Sequence, residues 1–242
     1  PEKLNIWKEA SYQDMDISGF FVRNTRTYTE VKYAYQYKQT GLQWFITYKV
    51  SADGIIKVDN KLTVQNDDTP IVPRIGLRMQ LTGELTNLLY YGRGPGESYC
   101  DRYTSQFLGK YDHLIKDLYE PYVRPQENNH RTNVSWFSIT DSENKGLLFI
   151  ADSKLEFNVS NYLLESLDGG ESTHSNAPRT ESTNHRHLTD PQREPLVDLF
   201  VDQRMMGVGG DNSWGATPHE EYLIRLEKGK DIEYGFTIMP VE

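Results

Sequence analysis

Hydrophobic and polar residues alternate with a period of two along the first part of the chain, as they do in strands with one buried face. The apolar positions of the two clearest runs are Val31, Tyr33, Tyr35, Tyr37, Trp44, Ile46, Tyr48 and Val50. Asp53-Gly54 follows the second run and is a strong hairpin signal before the next run, Ile55 to Val64. We therefore expect consecutive β-strands over the first seventy residues.

Short apolar or alternating runs predict further strands in the rest of the chain. They cover residues 75–81, 88–91, 135–139, 146–151, 156–160, 197–203, 221–227 and 232–238. Helix is expected only as one turn at Tyr162–Leu167, because no stretch has a long amphipathic period. The segments 92–134 and 165–195 are expected to be irregular, and loops of that length tend to be functional or to cover a partner surface.

Together these elements predict an all-β fold, a large antiparallel β-sandwich with long loops at one end. The break at residues 66–73 is short, so we expect a single domain over residues 1–242. The net charge of −9 gives no support to nucleic-acid binding, and no apolar run approaches the roughly 20 residues that span a bilayer. The chain begins at Pro1 rather than at a methionine, which suggests a fragment of a longer protein. Cys100 is the only cysteine and is interpreted as a passive small residue, so the compartment stays open.

A glycine-rich loop, residues 206–215, is the most distinctive segment. It has four glycines in the nine positions from Gly207 to Gly215, and Trp214 stands among small and polar neighbours. An aromatic ring displayed in this way suits stacking against the face of a sugar ring. The alternative is that Trp214 folds back and closes the end of a sheet, since large aromatic residues are mostly buried.

Other polar clusters suggest chemistry less specifically. His185 and His187 would lie on one face of a strand, the spacing that some metal sites use, with a third ligand from His174, Asp190 or elsewhere. The more common interpretation is that these histidines line a polar groove or bind loop backbone. Residues 91–97 are glycine-rich, but no helix follows them, so a phosphate site is rejected.

The loop at residues 121–131 is dense in amide, carboxylate and guanidinium groups that could bind sugar hydroxyls or a domain interface. Cleavage of a glycosidic bond needs two opposed carboxylates. The acidic residues in the predicted loops are Glu97, Asp101, Glu120, Glu127 and Asp211, and no sequence context marks two of them as a pair.

Five motifs follow one another along the chain: PRIGL at 73–77, YGRGPGESYCDR at 91–102, YEPYVRPQEN at 119–128, NHRHL at 184–188 and MGVGGDNSW at 206–214. In this order they resemble the C-terminal, small-chain (fifth) domain of the β-galactosidases of glycoside hydrolase family two. The resemblance implies the supersandwich fold that is also found in galactose mutarotases. It also implies that the catalytic glutamates of a retaining mechanism lie on a TIM barrel elsewhere in the parent enzyme, with none in this chain.

By this resemblance the chain supplies one wall of the active site. Trp214 is expected to stack against the aglycone sugar, and the segment from Glu127 to Asn133 is expected to lie beside the site and to move when ligand binds. Many relatives have glycine where this chain has Asn129. The residues expected to bind the β-galactoside substrate are Trp214, Asp211, Asn212, Glu127, Asn128, Arg131, His185 and His187.

The resemblance further implies no cofactor in this chain, magnesium in the parent with sodium as an open second ion, and a homo-oligomeric parent of bacterial type. Cytoplasm and periplasm both remain open as its location. Two alternatives stand beside the domain hypothesis. The first is a stand-alone aldose mutarotase or epimerase, in which His187 and Glu127 would be acid and base. The second is a stand-alone carbohydrate-binding module.

Overall fold

The strands form a branched network of antiparallel neighbours. The computed structural model describes residues 4–12, 15–123, 127–167, 191–212 and 216–242. The strands are β1 (Met15–Asn24), β2 (Tyr28–Tyr37), β3 (Leu42–Ser51), β4 (Ile56–Val64), β5 (Arg74–Thr82), β6 (Asn87–Gly94), β7 (Phe107–Leu114), β8 (His130–Thr140), β9 (Gly146–Ser160), β10 (Leu196–Met205) and β11 (Ile232–Val241). The pairings in the described part are antiparallel, so the predicted all-β antiparallel fold is confirmed.

Strand β9 is the longest and belongs to two branches of the sheet. Its first part, residues 146–151, pairs with β11, and that branch continues through β4, β3 and β2 to β1. Its last part, residues 156–160, pairs with β10, which in turn pairs with β5. On its other edge β9 pairs with β8, followed by β6 and β7.

The two branches share one hydrophobic core, which gives the sandwich its interior. Buried side chains come from β4 and β11 in one branch, from β10 in the other, and from β9 between them. Among them are Val58, Phe236, Leu199, Val201, Phe149 and Phe157. A second buried cluster joins Leu42 and Leu62 to Ile75 and Ile224. Met206, the first residue after β10, packs against this second cluster, so the core reaches the start of the glycine-rich loop.

Helix α1 (Asn5–Tyr12) lies where the sequence analysis expected strand, so that expectation is wrong. Ile6, Trp7 and Ala10 fall on one helical face; Ala10 is buried, and the Trp7 indole donates to the Ile71 carbonyl at 2.7 Å. The predicted helical turn near Tyr162 is confirmed by α2 (Leu164–Leu167). No described helix is both long and apolar enough to cross a membrane.

Two further assignments are wrong. Strand β7 and the start of β8 fall inside the segment 92–134 that was expected to be irregular. Residues 221–227 do not form a strand; a 3-10 turn occupies Glu220–Tyr222, and Leu223, Ile224 and Leu226 follow as buried side chains. The alternating pattern there reflects the burial of Ile224 and Leu226 in the second cluster, and it does not indicate pairing with a neighbouring strand. The single-domain assignment stays a prediction.

Candidate functional site

The glycine-rich loop leaves β10 along a path that only glycine can follow closely. The Gly207 N–H donates to the Tyr222 carbonyl at 2.9 Å, and the Gly209 N–H donates to Asp101 Oδ2 at 2.7 Å. A Cβ atom on Gly207 would lie 2.7 Å from Asp101 Oδ2. The glycines therefore allow close approach to the Asp101 turn. None of the described glycines of this loop has a positive φ.

The described end of this loop presents polar side chains to solvent. Asp211 and Asn212 are exposed, and Asp211 Oδ1 accepts a hydrogen bond from His219 Nε2 at 2.8 Å. This hydrogen bond raises the pKa of His219. His219 was not among the predicted site residues, although it stands close to Trp214 in sequence. Trp214, His185 and His187 lie outside the described residues.

Glu127 and Asn128 are anchored by contacts within the chain. The Glu127 carboxylate accepts from Arg74 Nη2 at 2.8 Å and from Asn158 Nδ2 at 2.7 Å. The buried Asn128 amide binds both backbone groups of Glu120, accepting from its N–H at 3.0 Å and donating to its carbonyl at 2.7 Å. Asn128 therefore closes the loop between residues 120 and 128. Of this pair, only Glu127 keeps partial exposure.

Asn129 adopts the left-handed backbone conformation that glycine favours, with a φ of 67°. Its N–H donates to Glu97 Oε2 at 2.8 Å, and its side-chain amide donates to the Val159 carbonyl. Asparagine tolerates this conformation better than most other residues. The position therefore keeps a backbone shape that suits glycine, while its side chain adds an anchor.

Arg131 is buried, with 2% of its surface exposed. Its guanidinium donates to the Tyr90 hydroxyl at 3.1 Å and to the backbone carbonyls of His130 and Pro95 at 3.1 and 3.3 Å. In this conformation Arg131 holds the Pro95 turn against β6 and β8. Its expected contact with a sugar stays a prediction.

The turn from Glu97 to Arg102 brings the two predicted site segments together. Glu97 accepts from the Asn129 N–H, from the Tyr122 hydroxyl and from Arg102, while Asp101 accepts from the Gly209 N–H. Segments that are about eighty residues apart in sequence are thus fastened to acids four positions apart on one turn. Arg102 also lies over the Tyr99 ring, with 4.7 Å from its Cζ to the ring centroid.

Cys100, in the middle of this turn, has no reactive character. Its thiol is half-buried, and Sγ donates to the Met205 carbonyl at 3.6 Å. Burial, together with nearby Asp101, raises the pKa of Cys100 to about 11. The thiol therefore stays protonated at neutral pH, in agreement with a passive role.

A group of buried ionisable residues lies beneath Glu127. Asp202 on β10 is fully buried, with Arg74 Nε at 3.4 Å, and neither carboxylate oxygen has a hydrogen-bond partner among the described residues. Burial raises the pKa of Asp202 to about 7, although Arg74 and His130 act in the opposite direction. The sequence signal for this site is an acid inside the apolar run Leu196–Met205. Asp202 was not among the predicted site residues.

A cavity of about 630 Å³ opens beside this group. Its wall is mainly aromatic and aliphatic, and Arg74 and Glu127 form part of it. The rings in its lining are Trp7, Tyr35, Tyr37, Trp44, Tyr48 and Phe200. Arg74 lies over Phe200, 4.4 Å from its Cζ to the ring centroid, so one arginine borders both the cavity and the Glu127 segment.

Comparison with known proteins identifies the family. The model of the beta galactosidase small chain matches residues 1–238. The chain belongs to the beta galactosidase small chain family. This match confirms the resemblance found in the sequence and favours the domain hypothesis over a stand-alone mutarotase or binding module.

The curated relatives of this small chain are much longer proteins named beta-galactosidase. The chain is 27% identical over 240 residues to the one from Priestia megaterium (99% of this chain, 21% of the relative). It is 31% identical over 219 residues to the one from Streptococcus thermophilus (87% and 19%), and 34% identical over 188 residues to the one from Lactobacillus delbrueckii subsp. bulgaricus (77% and 17%). The small chain thus spans about a fifth of each relative.

Similarity to solved structures is weaker. A galactose mutarotase related enzyme from Lactobacillus acidophilus superposes with a TM-score of 0.42 and 8% identity, covering 93% of this chain and 72% of that one. The GH36 alpha-galactosidase AgaA from Geobacillus stearothermophilus superposes with a TM-score of 0.44 and 5% identity, covering 93% of this chain and 26% of that one. A similarity of this size says nothing about chemistry.

Proposed function

We propose that this chain is a non-catalytic wall of the active site of a β-galactosidase, which hydrolyses terminal non-reducing β-D-galactose residues with retention. The observation that carries the proposal is the convergence of two family motifs at one turn. Asn129 is bound to Glu97 and Gly209 to Asp101, so the Glu127 segment and the glycine-rich loop are attached to one turn, residues 97–102. A shared surface built from two loops is what recognition of a sugar by several groups requires.

In this proposal Trp214 is the platform for the aglycone sugar. Asp211 and Asn212, exposed just before it, would bind sugar hydroxyls, and Glu127 would border the same surface. Stacking contributes roughly 0.5–1.5 kcal/mol beyond the burial of area, which can orient a leaving sugar but cannot cleave it. His185 and His187 are proposed to stand near the site, and Asn128 and Arg131 to support its loops from within the fold.

Catalysis itself would belong to the rest of the enzyme. The two glutamates are proposed to lie on the barrel domain, together with magnesium and, as an open second ion, sodium. Within the described parts of this chain, no three His, Cys, Asp or Glu residues are grouped to hold a metal ion. The β-galactoside would be shared between this wall and the barrel, in a homo-oligomeric parent.

The test is steady-state kinetics of the full-length enzyme with a sugar aglycone and with a small one. In Trp214→Ala we expect kcat/KM for lactose to fall about two- to tenfold more than kcat/KM for methyl β-galactoside, because only the glucose unit of lactose can stack. Phe20→Ala is the matched control: it removes an exposed ring at the edge strand β1. Equal losses on both substrates would remove the platform role.

A further inference from the structure

A buried histidine of the Glu127 segment connects this segment to the end of β10 at a second point, below the surface. His130, the first residue of β8, is fully buried. Its Nδ1 lies 2.5 Å from Asn158 Oδ1, and its Nε2 lies 2.9 Å from Glu156 Oε2. Both partners are on β9, the strand that pairs with β8 at this point. The histidine is therefore held at both nitrogens by one strand.

Each of these two partners leads to one of the site segments. Glu156 Oε2 also accepts from the Met205 N–H at 2.7 Å, at the last residue of β10 before the glycine-rich loop. Asn158 Nδ2 donates to Glu127 Oε1 at 2.7 Å and to the Asn128 carbonyl at 2.6 Å. A continuous path of hydrogen bonds thus runs from Glu127 through Asn158, His130 and Glu156 to Met205.

The donors in this path fix the charge of the histidine. Asn158 uses its NH₂ group on Glu127 and on the Asn128 carbonyl, so its Oδ1 faces His130 as an acceptor. The Glu156 carboxylate is also an acceptor. A ring that faces acceptors at both nitrogens must donate from both, which requires the imidazolium form. Burial opposes this charge, but the hydrogen bond to Glu156 raises the pKa of His130.

The surrounding charges balance around this imidazolium. Arg74 and His130 are positive and Glu127 and Glu156 are negative, so these four charges cancel, and with Asp202 counted the five groups stay neutral only when Asp202 is protonated. The other groups that face Asp202 are Gly76 on β5, where a Cβ would lie 1.8 Å from its Oδ1, and Tyr234 on β11. A buried ion cluster of this kind contributes little stability beyond what apolar residues would supply. What it does supply is a fixed geometry.

We propose that the junction of His130, Glu156 and Asn158 is a positioning unit that locks the Glu127 segment to the end of β10, so that the two loops of the proposed sugar-binding wall keep one relative position. This inference rests on the proposed function for its consequence in catalysis, but the coupling itself is a property of the fold. His130 lies within the Glu127 segment and is buried below its exposed face. It acts through Glu156 on the end of β10 and through Asn158 on Glu127 and Asn128.

The first test is amide hydrogen exchange in the full-length enzyme. His130→Phe keeps a ring that can stack on Tyr99, whose centroid is 5.3 Å from that of His130, and removes both donors. We expect exchange in residues 127–133 and in residues 205–212 to rise together, about tenfold. Asn60→Ala is the control, because Asn60 is also buried and polar but serves Trp44 on β3. Exchange that rises in one segment alone, or in neither, overturns the coupling.

Glu156→Gln is the second variant, since it keeps the size of the side chain while it removes the charge and replaces one acceptor oxygen with an NH₂ donor. It should loosen both segments in the same way if His130→Phe does not fold. The functional readout is the concentration of added glucose that half-saturates galactosyl transfer. We expect this concentration to rise about threefold or more in the junction variants, beyond any change in kcat for methyl β-galactoside.

The two proposals can fail separately. If Trp214→Ala leaves lactose selectivity unchanged while both segments loosen together in His130→Phe, the platform is wrong and the coupling stands. If Trp214→Ala behaves as expected but the segments loosen independently, the platform stands and the junction is only a local contact.

Discussion

Strand β9 carries an aromatic core and a charged junction side by side, and the two are held together by different forces. Phe157 stacks on Phe137 with ring centroids 4.5 Å apart, and Phe137 stacks on Phe149 at the same distance. Glu156 and Asn158, the neighbours of Phe157, point to the opposite face and bind His130. The aromatic core stabilises the fold through buried apolar area and close packing, which depend little on the orientation of individual groups. The junction depends on direction and on protonation.

The largest expected effect is in the core. Phe137→Ala removes a fully buried ring between two others, and we expect the free energy of unfolding to fall by about 3–5 kcal/mol. The loss of stability should be the same at pH 5 and pH 8, because the stacking of Phe137 on Phe149 and Phe157 involves no ionisable group. Urea unfolding followed by tryptophan fluorescence measures it. Phe137→Leu, which leaves a smaller void, should lose less; a loss that depends on pH would show that the core and the junction are not separable.

A smaller effect, a gain of stability rather than a loss, is expected at Asp202, the buried acid beside the junction. Asp202 has a pKa of about 7 in the fold and an ordinary value of 3.8 when the chain is unfolded. The folded state therefore holds the proton between these values, and the stability contributed by Asp202 is present below about pH 4 and is lost as the pH rises towards 7. At pH 8 the free energy of unfolding of Asp202→Asn should be roughly 1–3 kcal/mol higher than that of the unmodified chain, so the variant should be more stable.

The difference between Asp202→Asn and the unmodified chain should shrink as the pH is lowered to 5. Urea unfolding at the two pH values measures it, and Asp59→Asn, at a partly exposed acid on β4, serves as the control. A constant difference at both pH values would mean that Asp202 does not titrate in this window.

The smallest expected effect concerns Asn129. Alanine there keeps a Cβ in left-handed backbone and loses the bond to the Val159 carbonyl, so Asn129→Ala should cost about 2 kcal/mol. Glycine removes the strain of a Cβ in left-handed backbone, but it increases the conformational entropy of the unfolded chain. Asn129→Gly should therefore lower the free energy of unfolding by less than about 1 kcal/mol. Unfolding curves of the two variants test this order, and an alanine variant as stable as the glycine variant would contradict it.

The sequence predicted the sheet better than the junction, for a physical reason. The alternation at β2 and β3 marks the partly buried face that lines the cavity and can be seen locally, and Asp53-Gly54 marks the hairpin between β3 and β4 by chemistry. The junction residues come from β8 and β9, and the neighbouring Arg74 and Asp202 come from β5 and β10, so their meeting depends on the branching of β9, which no local pattern contains. Asp202 could have been singled out, because an acid in an apolar run needs a partner. Its partner Arg74 was visible only as part of a family motif.

The same reasoning explains the errors at residues 5–12 and 221–227. In both segments apolar residues recur at spacings that suit a buried face, but the backbone partner decides between helix, strand and unpaired chain. Ile224 is buried and bonds to Val72 through a single backbone hydrogen bond, and no strand is added. Burial could be inferred from the pattern, whereas pairing could not.

The measurement that tests the central claim most directly is the partition of the galactosyl group between water and added glucose in the full-length enzyme. If this chain supplies the wall that holds the aglycone sugar, Trp214→Ala will need about two- to tenfold more glucose for half-maximal transfer, and Phe20→Ala will match the unmodified enzyme. The same half-saturating glucose concentration in Trp214→Ala and in the unmodified enzyme would contradict the account.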